Sequence, residues 1–193
     1  GDLSSLFGNL TIVFMFLVPI LTMRLISEEK NTKTDQLLLT APISTTKIVL
    51  GKVFAAFSVF LLSLLLSLVY PVIISIYSKP AVSEIAAVYI GFFLMGISYI
   101  SIGVFISSLT ENQIISAVST FVILFVLNLA DMLTTVVTNP FLKSVMSYLS
   151  VTTRYTDFTN AIVRIDSVIY YLSVSALFIF LTGYQIEKRR FKK

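Results

Sequence analysis

Apolar residues run almost unbroken through five stretches of the chain, at about residues 9–26, 48–77, 85–109, 114–137 and 168–186, with polar or charged segments between them. A helix rises about 1.5 Å per residue, so ~20 apolar residues cross the hydrocarbon core of a bilayer. The pattern predicts an all-α, polytopic integral membrane protein with five transmembrane helices in a single domain, residues 1–193. No sequence repeat and no long linker divides it.

Polar and small residues inside the runs add detail. Pro19 stands mid-way in the first run, with Arg24 near its end, and reads as a kink. Serines 58, 63, 67 and 75 in the second run read as helix-packing positions, with a permeation path as the lesser reading. The third run carries Gly91, Gly96 and Gly103 with serines 98, 101, 107 and 108, a face small enough for tight packing against a partner helix. Asn128 and Asp131 lie toward the far end of the fourth run. An ionisable group inside a span is a candidate for function by default. Asp131 also has a plainer account, as a carboxylate that caps its helix or reaches water from about two turns inside the boundary.

Two of the intervening segments are elaborate. Residues 140–166 are apolar in part but too broken to cross. Phe141, Leu142, Val145, Met146 and Leu149 recur at helical spacing, and Phe158, Ile162 and Val163 repeat the pattern, which predicts two short amphipathic helices lying in or dipping into the outer interface. Residues 27–47 form the other segment, an elbow that can lie along a membrane surface but cannot cross it. Its Thr34 to Leu39 stretch is amphipathic and predicts leucines bedded on the helix ends, with Glu28, Glu29, Asp35 and Gln36 presented as a polar face. A surface helix at headgroup level, without any partner, fits the same periodicity.

Charge then sets the orientation. Arg24, Lys30, Lys33, Lys47 and Lys52 make the elbow the most basic internal loop, and Lys188, Arg189, Arg190, Lys192 and Lys193 end the chain. The positive-inside rule places both in the cytoplasm of a multi-pass protein of the cell membrane. Five spans then put the amino terminus outside. Gly1 to Asn9 lacks the basic region of a signal peptide, so a preceding helix, and a six-helix parent, are expected.

Composition narrows the chemistry. Hydrophobic residues are 56% of the chain and charged residues 12%, against about 25% in a soluble domain, so a soluble fold could not hide the apolar surface. The net charge of +4 does not imply nucleic acid, because the basic residues sit at the ends of apolar runs, where headgroups and topology account for them. Cysteine and histidine are absent, which removes thiolate and imidazole catalysis and His or Cys metal ligation together. Gly51-Lys52 is followed by Val53 and has no glycine five positions before it, so it is not a P-loop. No catalytic residue, no metal ligand and no cofactor are expected in this chain. What remains is a membrane protein without its own energy source. A non-transporting scaffold or channel anchored to anionic lipid is the alternative, and an intramembrane enzyme built on Asp131 is disfavoured.

The elbow carries a resemblance. Met23, Arg24, Leu25, Glu28, Glu29, Lys30, Thr34, Leu37 to Leu39, Pro42, Gly51 and Lys52 follow the order of the cytoplasmic segment in type-2 ABC transporter permeases. The closing stretch from Tyr148 to Arg190 is similar to the end of those permeases, particularly the gliding-motility and nitrous-oxide-reductase-maturation branch. Lys33 stands where the family commonly has glycine, which leaves the local turn open. The family's first span and lead-in helix are not in the sequence. The resemblance implies a permease subunit of an exporter. In it, Glu28 to Leu39 would be a coupling helix docked on a separate ATPase through Glu28, Glu29, Lys30, Thr34, Asp35, Leu37, Leu38 and Pro42. Phe141, Leu142, Met146, Phe158 and Ile162 would belong to re-entrant exterior helices capping the path. It also implies two ATPase subunits holding ATP and magnesium, and a second permease, identical or not, alongside membrane lipid.

Overall fold

The structure is a computed structural model describing residues 3–77, 82–136, 139 and 150–191. Among these residues all regular structure is helical. The elements are α1 (Leu3–Thr22), α2 (Ser27–Asn31), α3 (Asp35–Thr40), α4 (Thr45–Ser67), α5 (Val69–Tyr77), α6 (Val82–Leu109), α7 (Gln113–Val136), α8 (Val151–Thr159) and α9 (Ile165–Phe191). Among the described residues five stretches are long and apolar enough to cross a membrane: Asn9–Asn31, Thr45–Ile76, Val82–Leu109, Gln113–Ala130 and Ile165–Phe191. Large apolar side chains such as Phe16, Phe54, Leu66, Val122 and Phe180 lie exposed on the outside of the bundle, where a bilayer would cover them.

At the centre stands α6, packed against α1, α4, α7, α8 and α9. The small face expected to meet one partner meets several, because its glycines and serines are distributed around the helix. Lipid tails are as apolar as leucine, so helices in a membrane gain little by hiding hydrocarbon and associate through close packing and hydrogen bonds. A β-carbon at Gly96 would overlap the Phe60 ring of α4, one at Gly103 would overlap Thr22 of α1, and one at Gly91 would lie 2.6 Å from Phe158 of α8. Phe60 then joins a cluster of rings, with centroids 4.6 Å from Phe14 and 5.9 Å from Phe92.

Hydroxyl groups tie the last span to this centre. Ser98 of α6 and Ser175 of α9 both donate to the Tyr171 carbonyl, at 2.9 and 2.7 Å. The serines of α4 behave differently from the packing role expected of them. Ser58 and Ser63 donate to their own helix, to the carbonyls of Phe54 and Val59, and Ser75 of α5 does the same to Val72. Of these four, only Ser67 meets another span, with Tyr89 donating to its carbonyl at 2.9 Å.

At the end of the bundle away from the elbow, Ser150 accepts from the Thr153 amide and so caps α8. Val151, Tyr155 and Phe158 recur at helical spacing and are buried, whereas Ile162 lies past the end of α8 and is 53% exposed. The expected Phe158–Ile162 helical pair is therefore broken: Ala161, at φ 60°, turns the chain toward α9. Phe141, Leu142 and Met146 lie outside the described residues, as do Val145 and Leu149.

The glycines make a clear contrast. Gly96→Val should cost about 1–3 kcal/mol, the usual result of overpacking, because the ring it strikes is locked among Phe14 and Phe92. Gly51→Ala, where a β-carbon meets nothing within 4 Å, should gain about 0.5–1 kcal/mol from helix propensity. Thermal unfolding in one detergent, read side by side, checks both.

Candidate functional site

The elbow joins the end of α1 to the start of α4 and begins where α6 stops the first span. α1 ends at Thr22, earlier than the apolar run predicts, and residues 23–26 form a turn. Ser107 of α6 accepts from the amides of Ile26 and Ser27, at 3.2 and 3.1 Å, and donates to the Met23 carbonyl at 3.1 Å. One hydroxyl thus satisfies amides at the start of α2 and a carbonyl just past α1, groups left without partners inside any helix.

Lys33, at φ 59°, is in the left-handed region, and it splits the expected single coupling helix into α2 and α3. A side chain there costs about 1–2 kcal/mol relative to a right-handed residue, which is the reason glycine suits the position. Thr32 offsets part of this by donating to the Glu28 carbonyl at 2.9 Å.

The split rotates the two halves so that the expected faces are partly exchanged. Lys30 is 6% exposed and donates to the carbonyl of Ser108 near the end of α6, where the helix dipole favours a cation. Asp35 is 9% exposed and pairs with Arg189 of α9, Nε to Oδ2 at 3.1 Å. Leu37 by contrast is 75% exposed. Leucine therefore faces outward and the acid inward, the reverse of the polar face expected for Asp35 and the bedded position expected for Leu37. Leu38 is half-buried, and Thr34 and Pro42 are exposed. Glu29 pairs with Lys52 of α4 at 2.6 Å, while Glu28 makes no ion pair among the described residues. Between the elbow and α4 runs a groove of about 800 Å³, with Arg24, Glu28, Thr34, Leu38 and Lys47 among its walls.

A second polar cluster lies deeper in the bundle. Asn128 of α7 donates to the Tyr99 hydroxyl of α6 at 2.7 Å and accepts from Thr152 of α8 at 3.2 Å. Tyr171 of α9 donates to the Val151 carbonyl at 2.8 Å. These bonds use Asn128 to hold α8 on the bundle, which is a structural task. Asp131 belongs to α7, and its side chain lies outside the described residues. Beside them, burial pushes the Tyr155 phenol above its ordinary pKa, and its hydroxyl has no hydrogen-bond partner among the described residues. Arg154 instead lies over the Tyr170 ring, 4.3 Å from its centroid. Among the described residues no group of three acids could hold a metal ion.

A split amphipathic elbow strapped to the ends of membrane spans is the geometry on which comparison with known proteins bears. The sequence model of the ABC-2 family transporter proteins matches residues 3–184. The chain belongs to the ABC-2 transporter family. No curated protein and no solved structure matches it. The ABC-2 chain is thus a multi-pass membrane permease of an ABC transporter, and membrane components of this family work with a separate ATPase subunit.

Several residues that build these two clusters were not legible as such in the sequence. Ser107 appeared there as a small packing residue, and Arg189 as a topological charge. Glu111 and Tyr99 carried no signal at all, since their partners are distant in the chain. Ser107→Ala should cost about 1–3 kcal/mol, because the Ile26 and Ser27 amides lose their partner, while the Met23 carbonyl keeps the Ser27 hydroxyl. It should also speed hydrogen exchange at the Ile26 and Ser27 amides. Lys33→Val, a β-branched residue forced to positive φ, should cost a further ~1 kcal/mol over lysine, while Lys33→Gly is tolerated. Mass-spectrometric exchange and thermal unfolding measure these.

Proposed function

We propose that this chain is the membrane-spanning half of an ATP-driven exporter, worked by an ATPase subunit that grips the elbow from the cytoplasm. Leu37 is the observation that carries the reading. A leucine 75% exposed on a short helix, flanked by exposed Gln36, Thr40 and Pro42, is an apolar knob among polar neighbours at the end of the bundle. Such a knob suits the apolar pocket of a protein partner. The basic residues around it, Arg24, Lys33 and Lys47, favour the cytoplasmic side.

In this reading Thr34, Leu37, Leu38, Pro42 and Glu28 meet the ATPase directly. Glu29, Lys30 and Asp35 face into the bundle and hold the elbow in shape. ATP and magnesium sit on the partner. Two permeases and two ATPase subunits make the working assembly, and closure of the ATPase pair tilts the spans as a rigid-body switch. The likeness of residues 148–190 to the gliding-motility and nitrous-oxide-reductase-maturation branch supports export.

Co-expression with the ATPase subunit of the transporter provides the test. Leu37→Asp alters an exposed side chain and should leave unfolding within about 0.5 kcal/mol of the parent, yet lower the co-purified ATPase at least tenfold. Undiminished co-purification would refute the contact. Because the chain has no cysteine, Leu37→Cys also reports sidedness: a membrane-impermeant maleimide should reach it only in inverted vesicles.

A further inference from the structure

The elbow is covalently joined only to α1 and α4, yet its second half is held by a different span. Arg189, in the last turn of α9, pairs with Asp35 at the start of α3 at 3.1 Å. Its Nη1 meets Glu111, in the turn between α6 and α7, also at 3.1 Å. Arg190 donates through Nη1 to the Ile43 carbonyl at 3.1 Å and through Nη2 to the Ala41 carbonyl at 3.2 Å, just past α3. The guanidinium fork is planar and rigid, so a single Arg189 fixes two acids relative to one another as a lysine could not.

Three further observations give this clamp weight. α3 packs extensively on no other helix among the described residues, so it has little apolar contact to hold it in place. Asp35 is 9% exposed and, among the described residues, its second oxygen, Oδ1, has no hydrogen-bond partner, so Arg189 supplies the carboxylate's one ion pair there. α9 continues as helix through Glu187 to Arg190, past the point where its apolar run ends, and so brings both arginines rigidly to the elbow.

We propose that Arg189 is a positioning residue that fastens the elbow to α9 and to the α6–α7 turn, so that a push on α3 moves the last span together with α1 and α4. This rests on the reading of the elbow as the docking site. Without the clamp, α3 would swing on its two flanking turns, and motion would reach α9 only through side-to-side packing.

Distances between spin labels test the clamp on the chain alone. The cysteine-free chain, labelled at Leu37→Cys and Ile114→Cys and placed in lipid nanodiscs, should give one narrow distance distribution. Arg189→Gln should widen it at least twofold, Asp35→Asn should do the same, and the double variant should widen it no further. An unchanged width in Arg189→Gln overturns the clamp. Should that variant fail to fold, Arg189→Lys replaces it, with an intermediate width expected and parental width overturning the proposal.

A second arm uses the complex with the co-purified ATPase, labelled at Val122→Cys and Ile169→Cys. Addition of ATP and vanadate should shift this distance in the parent and shift it less than half as far in Arg189→Gln, with ATPase co-purification kept within twofold. A full shift in Arg189→Gln overturns the transmission role. Failure of the parent to retain any ATPase defeats the docking reading alone, since the first arm still decides the clamp.

Discussion

Backbone groups in a bilayer have no water to fall back on, and that constraint governs how this chain is put together. Where a helix stops out of reach of water, its end must find hydrogen-bond partners in the protein. α6 supplies them. Its glycines let α1, α4 and α8 come within van der Waals contact, and at that distance a serine hydroxyl is long enough to reach a neighbour's backbone. Ser107 can end the first span and begin the elbow because Gly103, one turn earlier on α6, admits Thr22. The packing and the joint are one device.

Electrostatics takes over where packing stops. The elbow is too short and too polar to bury itself, and its three inward charges are each met by a group of another element: Lys30 by the carbonyl of Ser108, Glu29 by Lys52, and Asp35 by Arg189. Partly buried pairs of this kind are screened less than surface ones. They also leave the outward side of α3 to Leu37, so the same contacts that hold the elbow present the residue best suited to a partner.

The membrane spans were legible because hydropathy summed over about 20 residues reports a property of the helix as a whole. The small face of α6 was legible for a similar reason, since glycine and serine in lipid have few other uses. The elbow was legible as an element and as a family motif, but its faces were not. One residue, Lys33, at φ 59°, breaks the helical phase between Glu28 and Leu37, and periodicity read through a break assigns the faces wrongly. Ile162 failed in the same way at Ala161.

Local sequence by itself determined the all-helical class, the five membrane-crossing stretches, the placement of charge at their ends and the membership in a transporter family. Tertiary structure alone decided which charges meet. Arg189 is separated from Glu111 by two spans, α7 and α9, and Asp35 lies two spans before Glu111 and four before Arg189, so no local window along the chain contains either pair. Whether a cation orients a helix in the membrane or clamps an acid depends on what the folded bundle sets beside it. That is fixed by how closely α6 lets its neighbours approach.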